Sequence, residues 1–410
     1  MNGRIGVVLS GWGPAMTLMS GAMLGFMEKG VQFDVISTTG AGALIGLLSL
    51  APKTGAPKQA LGELPNMFVS DLLYSVLPIN FKVFHKFGPF SKPMYNLRNR
   101  IPKISLDPRS SSPVGRLLND WVDLAFCAMT PSTFEPKSKG LMSPSPEIED
   151  LVDFTKLKDT KTKFYLNAFN LDERTLDIFD NDSTNADAYH ASEAMPVLFA
   201  PQRMPSGDLY TTGATHDPTG LQAIWLRHKD DLEAVVMLDP MSRAIWRSPV
   251  NIHDAFQLML MNPIIAQQVL VLAFYAWTDH TSEQLRKAHP NVKLPKLYYV
   301  PFPIEEKYYP NMLRWTHSNA VTLEKIGHDA AVVFAEARQA NNRGVRSQIS
   351  ILQLRRAKRS VQRFLTPLHS FFRRRGNRAE QAGGGGQWLK RRLHIPKWGS
   401  WLAAAPRTFT

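Results

Sequence analysis

The chain has 410 residues, 44% of them hydrophobic. That is enough for a substantial core, whether in one large α/β domain with an appendage or in two or three domains. A single cysteine, Cys127, excludes an intrachain disulfide and fits a reducing, cytoplasmic compartment. The net charge of +13 is uneven: of 48 basic and 35 acidic residues, 14 and one fall in residues 351–410, which leaves 34 of each in a neutral body.

The opening "MNGRIGVVLSGWG" lacks a basic segment followed by a long apolar run, so it reads as a first strand ending in a glycine turn, not as a signal peptide. "AMTLMSGAMLGFMEKG" follows as a helix, with Gly30 as its stop. "VQFDVIST" is a second strand, and "TGAGALIGLLSLA" turns sharply into an apolar helix. Strand, helix, strand and helix within about 50 residues predict a parallel sheet covered by helices.

From 63 to 145 aromatic residues, prolines and basic residues are mixed without period, and this stretch is expected to form a helical cap. "KTKFYLNAFNLDERTLDIFDN" predicts two strands with a turn near Asp172 to Arg174. "DAYHASEAM" predicts a short helix, Asp208 to Thr211 a strand, and "LEAVVMLDP" another. These complete an α/β domain over 1–250, with a mainly helical region over 251–342 packed on it. Within that region Pro263 to Trp277 is apolar but short and interrupted by Gln267 and Gln268, where a membrane span needs about 20 apolar residues; it predicts a buried helix. Residues 343–410 form a basic tail. Ile351, Leu354, Val361, Phe364, Leu365, Leu368 and Phe372 mark one face of a helix, Pro367 should kink it, and "GGGG" at 383–386 reads as a flexible link.

The strand–turn–helix at 34–46 fits three kinds of site: a dinucleotide fingerprint, a phosphate loop or a nucleophile elbow. Gly40, Gly42 and Gly46 give a glycine string, but about 20 positions on Glu63 follows no strand, so the acid that binds a ribose is lacking. No Lys-Ser or Lys-Thr pair closes the run, which removes the phosphate loop. The histidines show no ligand spacing, and neither metal nor cofactor is expected. Cys127, between Phe126 and Ala128, reads as a core residue and not a nucleophile.

Three stretches resemble the patatin-like phospholipases, over roughly residues 4–240. "VVLSGWGPAMTLMSGAMLGFME" is similar to that family's first strand, glycine-rich oxyanion loop and helix; here Gly11, Trp12 and Gly13 form the loop. "DVISTTGAGAL" is similar to its elbow, usually G-T-S-A-G-A, and "ASEAMPVLFAPQRMPSGDLYTTGA" to the segment ending in its catalytic D-G-G or D-G-A. The resemblance implies a three-layer α/β sandwich with a mostly parallel central sheet and a lipid acyl hydrolase ancestry. It also places Gly40 where the nucleophilic serine belongs and Thr212 where the aspartate belongs. Glycine has no side chain to attack with, and threonine is no base near neutral pH. Trp12 replaces a glycine of the oxyanion loop and tends to crowd the space its amides need. The resemblance therefore implies a catalytically silent protein that binds an acyl chain or lipid, or serves as a scaffold. The competing expectation is an active hydrolase rebuilt from Thr38 or Thr39 with His216 or Asp217 as base. The bland reading of the same residues is local backbone satisfaction and an ordinary turn.

An apolar cleft is expected above the elbow, lined or plugged by Trp12, Met16 and the aromatic 67–90 region. In the tail, Arg355, Arg356, Arg373, Arg374, Arg375, Arg391 and Arg392 alternate with apolar positions, and Trp388, Trp398 and Trp401 lie among the last basic residues. That pattern suits an anionic membrane surface, with an acidic protein partner as the alternative. Nucleic acid is disfavoured because no nucleic-acid module accompanies the charge.

Overall fold

The computed structural model describes residues 3–11, 13–102, 113–238, 247–267, 295–300 and 302–342. Trp12 and the whole tail, with its arginines and tryptophans, lie outside the described residues.

The first two units form as their sequence predicts: β1 (Ile5–Leu9), α1 (Met16–Glu28), β2 (Val35–Thr38) and α2 (Gly42–Leu50). Gly30 follows α1 at φ 68°. After α3 (Pro57–Gly62), the cap brings α4 (Asp71–Val76), β3 (His85–Lys86), α5 (Ser91–Asn99), α6 (Pro113–Met129) and β4 (Gly140–Ser143). Two short helices, α7 (Ile148–Leu151) and α8 (Phe154–Lys158), lead into the hairpin of β5 (Lys163–Asn170) and β6 (Thr175–Phe179). Its turn has Arg174 at φ 57°. After it come α9 (Ala186–Glu193), β7 (Val197–Phe199), β8 (Gln202–Arg203), β9 (Leu209–Thr212), α10 (Leu221–His228) and β10 (Ala234–Leu238). Residues 252–267 are helical (α11), β11 is Lys296–Tyr299, and α12 is His317–Asn342.

The main sheet has the order β11-β10-β1-β2-β5-β9-β8, and its first five strands are parallel. The first half of β5 pairs with β2 and the second half with antiparallel β9, while β6 runs antiparallel along the other edge. The central strands "IGVVL" and "AVVML" are wholly buried. Unbroken apolar runs are what parallel strands covered on both faces require. Val7 and Leu9 belong to the core shared with α1 and α2, whereas Val8 packs with Leu221 and Ile224 of α10. Alternate residues of one strand thus face the two helical layers of a sandwich. On the first layer α1 meets α12, with Phe26 and Phe334 edge to face at 6.1 Å.

Two features depart from the sequence expectation. The region read as mainly helical also supplies β11, which extends the main sheet beside β10. The cap carries a sheet of its own, β3-β4-β7, whose third strand arrives from beyond α9. Cap helices are tied by charge: Arg98 of α5 holds Asp123 of α6 at 2.5 Å, and Lys82 reaches fully buried Asp120 at 2.5 Å. Cys127 packs half-buried against the main core, and burial raises its thiol pKa. That setting disfavours a thiolate.

Candidate active-site cleft

The site forms where β1, β2 and β9 end. After β2 the chain passes through Thr39, Gly40 and Ala41 directly into α2. Gly40 has φ 51°, the left-handed region that glycine adopts at little cost. A Cβ placed there meets nothing closer than 3.7 Å, the Gly11 carbonyl, so the space above the turn is open. Gly11, at the end of β1, is the opposite case. A Cβ there falls 2.1 Å from the Thr39 carbonyl oxygen and 2.4 Å from the Ala41 nitrogen. The glycine lets the loop after β1 lie flat against the elbow.

The last turn of α9 joins the two halves of the site. Asn185 caps the start of that helix by accepting from the Ala188 amide. At its end, the buried Ser192 hydroxyl accepts the Gly40 amide at 3.1 Å. Two residues on, the Ala194 carbonyl accepts the Thr212 amide at 3.0 Å and the Thr211 hydroxyl at 2.6 Å. One helix end therefore sets Gly40 and Thr212 relative to each other. Thr212 is 3% exposed, and its Oγ1 accepts the Ala214 amide at 3.2 Å, which caps the short 3₁₀ turn Gly213–Ala214–Thr215.

Of the remaining candidate residues, Thr38, His216 and Asp217 are committed to other contacts. Thr38 donates its hydroxyl to the Tyr165 carbonyl at 2.9 Å. The Thr39 hydroxyl is buried and has no hydrogen-bond partner. His216 stacks flat on Phe169, with centroids 3.5 Å apart and planes 4° apart, and burial lowers its pKa. Asp217 is 5% exposed and organises the start of α10: it accepts from the Thr219 hydroxyl at 2.7 Å and from the Gly220 and Gln222 amides at 3.0 and 2.9 Å. Burial raises its pKa and these donors oppose the rise. No described contact brings any of the four to Gly40 as a nucleophile–base pair.

Above Gly40 lies a cleft of about 210 Å³. Gly11, Gly13, Gly40 and Thr212 form its floor region, and Met16, Met67, Phe84, Met261 and Trp315 contribute apolar wall. The expected contributions of Met16 and the 67–90 region are both seen; Thr38, Thr39, His216 and Asp217 do not line it. Its polar lining, which the sequence does not signal, includes Glu147, Tyr189 and Glu193 together with Asn80, Ser145, His253 and Gln257. Burial and the nearby Glu147 push the Glu193 carboxyl up to about 7, and the Tyr189 phenol bonded to it opposes the rise.

The patatin-like phospholipase family model matches residues 7–225, more than half of the chain, and covers the loop after β1, the elbow and β9. The chain belongs to the patatin-like phospholipase family. Its fold is accordingly of the lipid acyl hydrolase type. Among solved structures, VipD from Legionella pneumophila is similar at 14% identity and a TM-score of 0.35, over 82% of this chain and 67% of that one. No curated protein matches the chain closely. Within the patatin-like frame, the elbow turn carries no side-chain oxygen at position 40. Among the described residues, no helix is long and apolar enough to cross a membrane, and no group of His, Cys, Asp or Glu is placed to hold a metal ion.

Proposed function

We propose that this patatin-like protein is a catalytically silent member of its family that binds an acyl chain in the cleft above Gly40. The observation that carries this reading is the pairing of a side-chain-free elbow with Thr212, whose hydroxyl is engaged by the Ala214 amide. A serine–aspartate dyad needs an oxygen nucleophile on the turn and a carboxylate to take its proton, and neither residue supplies one. The open space over Gly40 and the apolar cleft support retention of lipid binding after loss of chemistry. The cytoplasmic, peripheral membrane role belongs to the same proposal: the basic 351–410 tail would hold the protein at an anionic membrane surface or an acidic partner, where it acts as an acyl-binding or scaffolding subunit.

One observation favours the second reading, a rebuilt hydrolase. The unpartnered Thr39 hydroxyl sits next to the elbow residue. A single experiment separates the two. The native protein is expected to show no phospholipid or ester hydrolysis and no labelling by a fluorophosphonate, while the Gly40→Ser/Thr212→Asp double variant gains labelling. Stoichiometric labelling of the native chain at Thr39 or Thr38 would establish the rebuilt site and end the silent reading.

A further inference from the structure

The cleft has a chemically distinct end. Glu147 is 7% exposed, and its Oε2 lies 3.2 Å from His85 Nε2. Its Oε1 is buried in the wall with no hydrogen-bond partner. Glu193, from the end of α9, lines the same cleft. Among the described lining residues there is neither lysine nor arginine, and burial lowers the pKa of the histidine described there, His253. A carboxylate oxygen buried without a donor is destabilising, and native structures seldom leave one so.

We propose that this acidic end recognises a protonated amine, so that the occupant is a single-chain amphiphile ending in an ammonium group. This rests on the acyl-cleft reading above and specifies its headgroup. The Glu147 Oε1 atom is an acceptor awaiting a donor, and an ammonium brings three donors and no acceptor. Its positive charge pairs with the Glu147 carboxylate in a low-dielectric setting, where charge pairs interact more strongly than in water. The elevated pKa of Glu193 fits the same picture, because the Glu147 charge contributes to it and a bound cation would relieve it. A fatty-acid carboxylate meets the reverse situation: two acidic groups and, among the described lining residues, neither lysine nor arginine. The alkyl chain would lie along Met16, Leu44, Phe84, Met261, Ile264 and Trp315. The structure thus points away from free fatty acids as the occupant.

The test uses the full chain and three probes of equal length below their micellar concentrations: dodecylamine, dodecanol and dodecanoate. At pH 7, dodecylamine should bind about tenfold or more tightly than dodecanol, as expected for a charge-assisted hydrogen bond, and dodecanoate most weakly. Glu147→Gln should remove most of the preference for the amine over dodecanol. Far-ultraviolet circular dichroism reports that the variant is folded. Equal binding of dodecylamine and dodecanol, or a preference that survives Glu147→Gln, overturns the headgroup assignment and leaves the acyl cleft standing. Binding of none of the three overturns both. Lysophosphatidylethanolamine set against lysophosphatidylcholine, whose quaternary ammonium has no N–H donor, then separates sources. A preference for the first assigns a lipid headgroup. Its absence, with dodecylamine bound, assigns a free long-chain amine.

Discussion

Returning a side chain to the elbow should have a small, calculable effect. In Gly40→Ala the new Cβ meets the Gly11 carbonyl oxygen at 3.7 Å, the Gly11 Cα at 3.8 Å and the Ala214 Cβ at 3.9 Å, all ordinary contacts. Steric repulsion therefore contributes nothing, and what remains is the backbone. An L-residue held at φ 51° is less stable than glycine by about 1–2 kcal/mol. Gly11→Ala provides the contrast, because its Cβ falls 2.1, 2.4 and 2.7 Å from three backbone atoms of the elbow, and none is the end of a flexible side chain. Overpacking of that kind costs about 3 kcal/mol or more. In urea titrations of the full chain, with a slope of about 3 kcal/mol/M, Gly40→Ala should lower the midpoint by about 0.5 M and Gly11→Ala by about 1 M or more. Equal losses in the two variants would refute the claim that the elbow has kept open space for a side chain. A Gly40→Ala variant as stable as the native protein would refute the left-handed turn itself.

Other outcomes can be stated briefly. Truncation after residue 342 should abolish binding to anionic vesicles in a co-sedimentation assay while far-ultraviolet circular dichroism keeps the α/β signature, since each Lys or Arg near such a surface contributes on the order of 1 kcal/mol; undiminished binding by the truncated chain would rule out the tail. Glu193, raised from 4.5 to about 7, stays protonated in the fold over a range where the unfolded chain has lost its proton. Stability should therefore fall as pH rises from about 4.5 to 7 and level off above, by up to about 3 kcal/mol less whatever cleft water screens. Glu193→Gln should flatten that slope in melts from pH 4 to 8 and stabilise the protein at pH 8; an unchanged slope would place the titration elsewhere. Asp217→Ala removes a buried acceptor of three hydrogen bonds. It should lower stability by about 2–3 kcal/mol in urea without creating or removing any hydrolase activity, whereas a base in a rebuilt site would tie Asp217 to turnover.

Much of the fold is legible because its signals are local. The apolar runs of β1, β2 and β10, the hairpin near Asp172 to Arg174 and the helix at Ala186–Glu193 each announce themselves within a dozen residues. The elbow is legible for the same reason, since strand, glycine turn and apolar helix are contiguous. Strands β3, β4 and β7 span two to four residues, too short to show any period, and they pair only because the chain closes on itself. Lys296–Tyr299 is concealed because the sequence over 251–342 reads as mainly helical, and only the edge of β10 reveals its place. The acidic end of the cleft is the hardest case. Glu147 and Glu193 are 46 positions apart, one just before α7 and the other at the end of α9, and nothing in their spacing marks them as neighbours. Ser192 lies in the stretch that resembles the family's segment ending in D-G-G or D-G-A, but its bond to the Gly40 amide is a tertiary fact.

That bond makes the protein its own spectroscopic reporter. The Gly40 amide points its hydrogen at a hydroxyl whose next neighbour in the chain is Glu193, a wall residue of the cleft. Any occupant that draws on Glu193 shifts the last turn of α9, and the elbow amide must register the displacement as a change in hydrogen-bond length. In a nitrogen–proton correlation spectrum of isotope-labelled protein, the assigned Gly40 amide would follow cleft occupancy.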